Sequence, residues 1–417
     1  MRCILTLLAL ASLSASMSAQ ATDKDLAHAR KLLESTPLID GHNDLAWAIR
    51  EDTAAPLDVG AYDLNKRTPG HTDLERLKAG LIGAQFWSVY VPGEVKDSGF
   101  ARIQLEQIDI ARRFIAMYPE RLQLALGSRD IRDAFKRKRI ASLLGMEGGH
   151  AIENSLGALR AYHALGARYM TLTHNVTLDW ADAAQDAPTH GGLTEFGKEV
   201  VREMNRLGML VDLSHVSPGT MSDALDVTEA PVIFSHSNAR AVTDVRRNVP
   251  DSILKRLPAN GGVVMVTFVP GFASSDFATY ETARSAAETA ARARAGSDDA
   301  KVRAEMQQWS TAHPRPSATI ANVVDHIEHI RKVAGVDHIG LGGDFDGISV
   351  VVKGLEDVSK YPALFAELIH RGWSDADLRK LAGENTLRVL EKAEEVSARL
   401  QRTRQPSTKT IQQLDRK

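Results

Sequence analysis

The most informative stretch of the sequence is LIDGHND, at residues 38–44. It has the pattern of a short apolar strand that ends in a histidine and an aspartate two residues apart. Side chains at positions i and i+2 of an extended segment point to the same side. His42 and Asp44 are therefore candidates to bind one metal ion at the mouth of a barrel. A single His-x-Asp pair is a weak indication, because both residue types also occur in loops and turns.

Five later apolar runs also end in residues that can bind a metal ion, which strengthens the indication from the first. These strand-end residues are Glu147, His174, His215, His236 and Asp344. Glu147 closes an almost unbroken apolar run, where a carboxylate is costly unless it is paired or bound to a metal. An arginine could pair with it, but Gly148 and Gly149 favour a close approach of the backbone to a bound group.

The apolar runs also predict the fold. Eight of them have strand character and most are separated by helical patterns; they begin at Leu38, Gly83, Ile140, Arg168, Met209, Val232, Gly262 and His338. Eight such units predict a TIM-type (β/α)8 barrel, which places catalytic residues at the C-terminal ends of its strands. A doubly wound open sheet is the alternative, but no glycine-rich phosphate loop follows the first strand.

The barrel is expected to occupy residues 22–400 as one α/β domain. Residues 274–312 are rich in Ala, Arg, Glu and Gln. This composition predicts a helical insertion after the seventh strand, at about residues 272–315. Residues 401–417 are polar with few apolar side chains, which predicts a disordered tail.

The first residues have the features of a signal peptide. Arg2 precedes an apolar run at residues 4–13, and Ala19-Gln20-Ala21 fits a cleavage site. Residues 1–21 are therefore expected to be removed on export to the periplasm or the medium. The alternative is a buried N-terminal helix; the apolar run is too short to span a bilayer.

The cysteine count and the charge exclude several kinds of chemistry and partner. The single cysteine, Cys3, precedes the apolar run, so a lipid anchor is not expected and the mature protein would contain no cysteine. Disulfides, thiolate chemistry and cysteine-bound zinc are then excluded. The formal net charge of −2 gives no reason to expect nucleic acid or an anionic membrane as a partner.

The candidate residues favour two metal ions. If they gather at one end of a barrel and no cation is present, their charge is buried without a partner. Two divalent ions would supply that partner. Histidine with carboxylate ligation suits zinc best. Glu147 is the natural bridge, because a carboxylate can span two ions about 3.5–4 Å apart and no lysine ends any of these strands.

Taken together, these residues resemble a known family, the membrane (renal) dipeptidases. The motifs that carry the resemblance are IDGHND (39–44), MEGGH (146–150), LTH (172–174), DLSH (212–215), FSHS (234–237) and GDFDG (343–347). Their combination and order are highly specific. The resemblance implies a di-zinc (β/α)8 barrel that hydrolyses the peptide bond of dipeptides.

The resemblance also implies a ligand set for the two zinc ions. His42 and Asp44 would hold one ion, His215 and His236 would hold the other, and Glu147 would bridge them. A water or hydroxide between the ions would attack the peptide carbonyl.

Three further residues match family positions with catalytic roles. His174 matches the histidine that contacts the substrate and steadies the tetrahedral intermediate. Arg247 matches the arginine that faces the same intermediate, and Asp344 matches the aspartate that handles the proton. Next to the ligands, His150 is a candidate to support the site, and Asp40 and Asp212 are candidates to orient the ligands or to pair with arginine.

The chain departs from its animal relatives, which are lipid-anchored and disulfide-linked. Without cysteine, any homodimer is expected to be non-covalent, and no membrane anchor is expected. Bacterial relatives can favour dipeptides with a C-terminal D-residue, and some members of the family open β-lactam rings. Two alternatives therefore stay open: an amidohydrolase acting on a β-lactam or on a modified secreted peptide, and a non-catalytic maturation protein on the same scaffold.

Overall fold

The structure, a computed structural model, describes residues 21–95 and 99–415. Apart from Ala21, the predicted signal peptide at residues 1–21 lies outside the described residues. In the described part the chain folds around one parallel β-sheet that closes on itself, with helices packed around its outside. The predicted TIM-type (β/α)8 barrel is confirmed.

Nine strands, all paired in parallel, form the sheet in the described ranges. Their bounds are β1 Leu38–Asn43, β2 Ile82–Ser88, β3 Leu122–Leu124, β4 Ile140–Glu147, β5 Ala167–Thr171, β6 Leu210–Asp212, β7 Ile233–Phe234, β8 Val263–Val266 and β9 Ile339–Leu341. Eight of them form the barrel, in the order β2-β1-β9-β8-β7-β6-β5-β4, and β4 pairs with β2 to close the ring.

The additional strand, β3, was not predicted from the sequence. It pairs with the first residues of β4, Ile140–Ser142, whereas β5 pairs with β4 from Leu144 to Glu147. A run of three residues is too short to show strand periodicity in a sequence. The barrel count of eight is unaffected, because β3 only extends the edge of β4.

The helices surround the barrel and supply the connections between its strands. Their bounds are α1 Asp23–Ser35, α2 Leu45–Arg50, α3 Leu74–Ala79, α4 Phe100–Met117, α5 Ser128–Lys136, α6 Leu156–Leu165, α7 Glu195–Leu207, α8 Pro218–Val227, α9 Asp251–Leu254, α10 Leu257–Asn260, α11 Pro270–Ala273, α12 Ser275–Ala295, α13 Asp299–Ala312, α14 Ile320–Ala334, α15 Tyr361–His370, α16 Asp375–Arg379, α17 Asn385–Thr403 and α18 Ile411–Leu414. Short 3₁₀ turns occupy Gly149–Ile152, Val336–His338 and Val358–Lys360, and a π-helical turn occupies Lys380–Glu384.

Local sequence signals explain where these elements begin and end. Every residue of β4 is buried, as a parallel strand covered on both faces requires. Helix α7 begins after Thr194, whose hydroxyl accepts a hydrogen bond from the Gly197 amide, and it ends at Gly208 in the left-handed region, with φ of 79°. Helix α7 lies between β5 and β6 in the chain, so its defined ends fix the connection between these two strands.

The segment after β8 contains α12 and α13, the two long helices of the region predicted as an insertion. They pack against each other as a hairpin and bury few side chains, namely Phe277, Ala291 and Val302. Tyr280 and Trp309 contact each other across the hairpin, with ring centroids 5.4 Å apart.

The tail from residue 401 differs from the predicted disorder over its described part. Helix α17 continues to Thr403, and the Asp415 carboxylate accepts hydrogen bonds from Thr194 Oγ1 at 2.6 Å and the Phe196 amide at 3.1 Å. Ser407 O accepts a hydrogen bond from Arg160 at 2.9 Å. Composition predicted disorder because few apolar residues are present; polar contacts to the start of α7, which composition does not show, hold the tail instead.

None of the helices in residues 21–95 and 99–415 combines the length and the apolar composition that crossing a bilayer requires.

Candidate metal centre

The C-terminal ends of six barrel strands bring the seven candidate residues together. His42 lies within β1, Asp44 lies at the start of α2, and Glu147 is the last residue of β4. The other four follow the ends of β5, β6, β7 and β9 and are His174, His215, His236 and Asp344. Because parallel strands end at the same edge, these residues converge although 302 positions separate the first from the last.

Glu147 lies at the centre of this group, and its two oxygens face different partners. Oε2 lies 3.4 Å from His42 Nε2, which is itself 3.2 Å from Asp44 Oδ2. Oε1 lies 3.1 Å from His215 Nε2 and 3.3 Å from His236 Nε2. One carboxylate therefore contacts two separate sets of ligand atoms, as a bridging ligand must.

The ligand atoms fall into three overlapping groups whose geometry suits a metal ion. One contains His42, Asp44 and Asp344; the other two share Glu147 and contain His42 with His236, and His174 with His215. His174 Nε2 is 4.0 Å from Glu147 Oε1, farther than His215 or His236. Asp344 Oδ1 is 3.9 Å from His42 Nε2. The predicted ligands are thus innermost, with His174 and Asp344 at the edges.

Hydrogen bonds to the second ring nitrogen fix the tautomers of His42 and His236. Tyr169 donates its hydroxyl proton to Gly41 O, so its oxygen accepts from His42 Nδ1 at 2.8 Å. Ser235 donates to Asp212, so its oxygen accepts from His236 Nδ1, also at 2.8 Å. With Nδ1 carrying the proton, each Nε2 presents a lone pair toward Glu147.

His215 has the same tautomer as the other two histidines. Its Nδ1 donates to Asn175 Oδ1 at 2.9 Å, so its Nε2 also presents a lone pair. The His215 and His236 Nε2 atoms are 2.9 Å apart. Two lone pairs at that distance, facing a carboxylate, repel one another unless a cation lies among them.

Buried atoms without partners support the same conclusion. Among the described residues, His42 Nε2 and Asp44 Oδ1 are buried and have no hydrogen-bond partner. Such atoms are costly in a protein interior unless they bind something. The donor set of imidazole nitrogens and carboxylate oxygens around Glu147 fits two divalent cations.

Asp40 and Asp212 orient the ligands rather than pairing with arginine. Asp40 accepts hydrogen bonds from the His42 amide at 2.7 Å and from the Tyr361 hydroxyl. Asp212 accepts from the Ser235 amide at 2.8 Å and from the Ser235 hydroxyl at 2.6 Å. Each buried carboxylate therefore fixes the backbone next to a metal-ligand candidate.

Two glycines make room for the site. A Cβ atom on Gly145 would lie 2.0 Å from the Tyr169 ring, so glycine is needed for this ring to reach His42. A Cβ atom on Gly347 would lie 2.3 Å from Asp44 Oδ2 and 2.7 Å from Asp344 Oδ1. The two carboxylates converge because a glycine lies beside them.

The backbone is strained at two of the site residues. His215 and Asp344 have φ of 66° and 63°, in the left-handed region that non-glycine residues rarely adopt. Such a conformation costs on the order of 1–3 kcal/mol and persists where the surrounding contacts enforce it. It directs both side chains into the cluster around Glu147.

The electrostatics of the cluster follow from burial and from neighbouring charges. Burial raises the pKa of the Glu147 carboxyl, but the imidazoles of His42, His215 and His236 hold that pKa well below its ordinary value. Burial lowers the pKa of His42, whereas Tyr169, Glu147 and Asp44 raise it well above its ordinary value. The position between Glu147 and Asp44 therefore favours positive charge.

The pKa of the Asp344 carboxyl is shifted in the opposite direction from that of Glu147. Burial raises its pKa well above the ordinary value, and the neighbouring Asp44 and Glu147 carboxylates raise it further. A carboxylate with raised pKa is a better base than an exposed aspartate, which suits a group that transfers protons.

Arg247 lies next to His236, on the side of the centre where imidazoles face Glu147 Oε1. It is only 1% exposed and donates to Ser237 Oγ at 2.9 Å and to His236 O at 3.1 Å. Burial lowers its pKa to about 10, while Asp344 and Glu147 act in the opposite direction. Arg247 thus stays cationic at neutral pH, and its Nε has no partner among the described residues.

His150 contacts the neighbouring loop rather than the ligand atoms. Its Nε2 donates to Val91 O at 2.8 Å, and its ring lies 4.8 Å from that of Phe100. Burial lowers the pKa of His150 to about 4, so the imidazole is neutral. It joins the turn after Glu147 to the loop that carries Tyr90, whose ring lies 4.8 Å from that of His174.

The residues that set the tautomers of the three histidines were not predicted from the sequence. Asn175 and Ser235 are chain neighbours of His174 and His236, and this adjacency is a signal that could have identified them. Tyr169 has no such signal, because it lies five positions from the nearest candidate site residue, His174, and reaches His42 only through the barrel interior.

Solved structures with the same architecture are similar to this chain. A probable dipeptidase, PvdM, from Pseudomonas aeruginosa is 24% identical with a TM-score of 0.76; the match covers 89% of this chain and 99% of that one, and it supports the fold. A metallo peptidase from Rhodobacter sphaeroides, liganded with a phosphinate mimic of the dipeptide L-Ala-D-Ala, is 25% identical with a TM-score of 0.70. The match covers 86% of this chain and 99% of that one.

The family assignment follows from a match over most of the sequence. Residues 26–404 match the family model described as Membrane dipeptidase (Peptidase family M19). This range contains all the candidate ligands and every barrel strand. The chain therefore belongs to the membrane dipeptidase family, peptidase family M19, whose members are metallopeptidases.

Proposed function

We propose that this protein is a di-zinc dipeptidase that cleaves dipeptides with a C-terminal D-residue. The observation that carries the proposal is the position of Glu147, whose two oxygens face His42 with Asp44 on one side and His215 with His236 on the other. Family membership supplies the dipeptidase activity. The metal, the roles of single residues and the substrate stereochemistry are our inference.

Zinc is the ion that this donor set favours. Three imidazole nitrogens, each with its second nitrogen hydrogen-bonded, and two carboxylates form the inner group. Such nitrogen and oxygen ligation is typical of zinc. When bound, two such ions would polarise the scissile carbonyl and lower the pKa of the attacking water.

Asp344 is proposed to move the proton. Its carboxylate lies at the edge of the centre, 3.9 Å from His42 Nε2, and burial raises its pKa. It can accept a proton from the attacking water and return it to the leaving amine. The raised pKa makes the first of these transfers, from water to the carboxylate, easier than it would be for an exposed aspartate.

His174 and Arg247 are proposed to stabilise the negative charge that develops on the substrate. His174 lies on the outer side of Glu147, at 4.0 Å, and its Nδ1 has no partner among the described residues. Arg247 brings a buried cation to the same side of the centre. Charge-assisted hydrogen bonds from such groups to an oxyanion, or to the substrate carboxylate, are strong in a dry site.

The preference for a C-terminal D-residue rests on the relative from Rhodobacter sphaeroides, which binds a mimic of L-Ala-D-Ala at 25% identity to this chain. Export to the periplasm or the medium is a further proposal, based on the signal-peptide pattern of residues 1–21. No nucleic-acid partner is proposed, because the formal net charge is only −2.

A substrate panel tests the proposal. Purified protein supplied with zinc is assayed on L-Ala-D-Ala, L-Ala-L-Ala, C-terminally amidated L-Ala-D-Ala, the tripeptide L-Ala-D-Ala-L-Ala and a chromogenic β-lactam. We expect L-Ala-D-Ala to give the highest kcat/KM, with slow or no turnover of the tripeptide and the amide. A faster β-lactam reaction would instead support the alternative amidohydrolase, and equal rates on tripeptides would contradict dipeptide specificity.

A further inference from the structure

A cavity of about 690 Å³ lies at the opposite end of the barrel from the metal centre. Ile82 and Ile140, the first residues of β2 and β4, line it, whereas the metal-ligand candidates lie at the other ends of the strands. Volumes of this size are typical of sites for small molecules. The position excludes a direct role in catalysis.

The lining of this cavity combines an apolar floor with a basic rim. The floor contains Leu33, Ile82 and Ile140, which are 1%, 6% and 7% exposed. The rim carries five cations and one carboxylate, which are Lys78, Arg121, Lys136, Lys138, Arg139 and Glu34. Such a lining complements a molecule that has an apolar chain and an anionic head.

Most of the rim charge is not neutralised by the protein. Arg121 pairs with Glu75 at 3.1 Å and Arg139 pairs with Glu120 at 3.7 Å. Lys78, Lys136 and Lys138 have no ion pair with a carboxylate in residues 21–95 and 99–415. Three lysines around one apolar cavity repel each other mildly, and an anion among them removes that repulsion.

Helix ends explain part of this arrangement. Lys78 and Lys136 lie in the last turns of α3 and α5, where a cation stabilises the helix dipole. Lys138 and Arg139 lie beyond the end of α5, so the dipole does not account for them. Nor does it account for the apolar floor between the two helix ends.

We propose that this cavity binds a single-chain amphiphilic anion, such as a fatty-acid carboxylate, with its chain on the apolar floor and its head among the lysines. A free molecule fits better than a bilayer surface, because the floor residues Leu33, Ile82 and Ile140 are almost fully buried. The exposed large hydrophobic residues among those described are Leu57, Leu105, Met117, Leu126 and Leu165, and none of them lines the cavity.

The test measures binding of decanoate by isothermal titration calorimetry at low ionic strength, with the full-length chain. Decyltrimethylammonium, with the same chain length and opposite charge, is the ligand control. We expect saturable one-site binding of decanoate, and no binding of the cation. In the double variant Lys136→Gln/Lys138→Gln, affinity should fall about tenfold, because charge-assisted contacts are lost.

The double variant Lys301→Gln/Lys392→Gln is the matched control, since both lysines are exposed and outside the cavity. It should bind decanoate as the unchanged protein does. The proposal is overturned if decanoate does not bind, if the cation binds equally well, or if both double variants bind decanoate alike. The proposal is also overturned, in favour of a membrane surface, if the protein sediments with phosphatidylglycerol vesicles but does not bind decanoate.

Discussion

The two sides of Glu147 differ in the atoms that they present. On the Oε2 side, His42 is accompanied by the carboxylates of Asp44 and Asp344. On the Oε1 side, three imidazoles approach, those of His174, His215 and His236. One side is therefore rich in negatively charged oxygen, and the other is built of neutral nitrogen with the Arg247 guanidinium behind it.

The pKa values follow the same division. On the oxygen-rich side, Tyr169 and the carboxylates of Glu147 and Asp44 raise the pKa of His42 in spite of its burial. On the imidazole side, burial lowers the pKa of His215 and of His236 well below the ordinary value, and Arg247 lowers both further. The centre is thus polarised: protons and cations are favoured beside Asp344, and negative charge is favoured beside Arg247. A reaction that takes a proton at one side and develops an oxyanion at the other suits this arrangement.

The largest effect is expected where the two sides meet. Replacing Glu147 by glutamine keeps the shape but removes the charge that both sides share. We expect Glu147→Gln to lower kcat/KM for L-Ala-D-Ala by roughly 10⁴-fold or more, with loss of bound metal. The control is Glu395→Gln, at an exposed glutamate on α17. Activity near the unchanged level would show that Glu147 is not shared between two ions.

The next largest effect tests the oxygen-rich side alone. Asp344→Asn removes a base and leaves the other ligand atoms in place, so kcat should fall by roughly 10²–10⁴-fold while the metal content stays the same. Steady-state kinetics and metal analysis of the same preparation measure both quantities. Loss of a metal ion together with activity would mean that Asp344 acts mainly as a ligand.

The corresponding test of the imidazole side is Arg247→Ala. Removing a buried, charge-assisted contact should lower kcat/KM. The expected loss corresponds to about 2–5 kcal/mol of transition-state stabilisation. Arg247→Lys should recover only part of it, because lysine lacks the planar pair of donors. The neighbouring Arg246 is exposed, so Arg246→Ala is a matched control. Equal kinetics for the two alanine variants would exclude a role for Arg247.

The smallest effect concerns the support of the imidazole side. His150→Leu removes the hydrogen bond to Val91 O that holds the loop carrying Tyr90 against His174. We expect kcat to fall about tenfold with metal content unchanged, because His174 is then held less firmly in place. His150→Gln keeps an N–H donor and should recover most of the rate. If glutamine behaves like leucine, the hydrogen bond is not what matters.

The eight barrel strands and their polar ends could be predicted from the sequence because each signal is local. An apolar run bounded by a histidine or a carboxylate is visible within seven or eight residues, as in 38–44 and 140–147. Parallel strands then place all such ends at one edge, which is why His42 and Asp344 could be assigned to one site.

The remainder depends on contacts between distant residues. The pairing of Tyr169 with His42 joins positions 127 apart, and its requirement for glycine at position 145 appears only in three dimensions. The contact of Asp415 with the start of α7 joins positions 221 apart, which is why composition alone predicted a disordered tail. Whether one nitrogen of an imidazole is free to bind a metal is likewise decided by such partners.

The most direct test of the two-sided centre is the metal content of protein purified without chelator. Elemental analysis should give two zinc equivalents per chain for the unchanged protein. The variants Asp44→Ala and His236→Ala, which alter the oxygen-rich and the imidazole side respectively, should each retain close to one equivalent. A reproducible single equivalent in the unchanged protein, with no further loss in Asp44→Ala, would contradict a centre in which Glu147 bridges two ions.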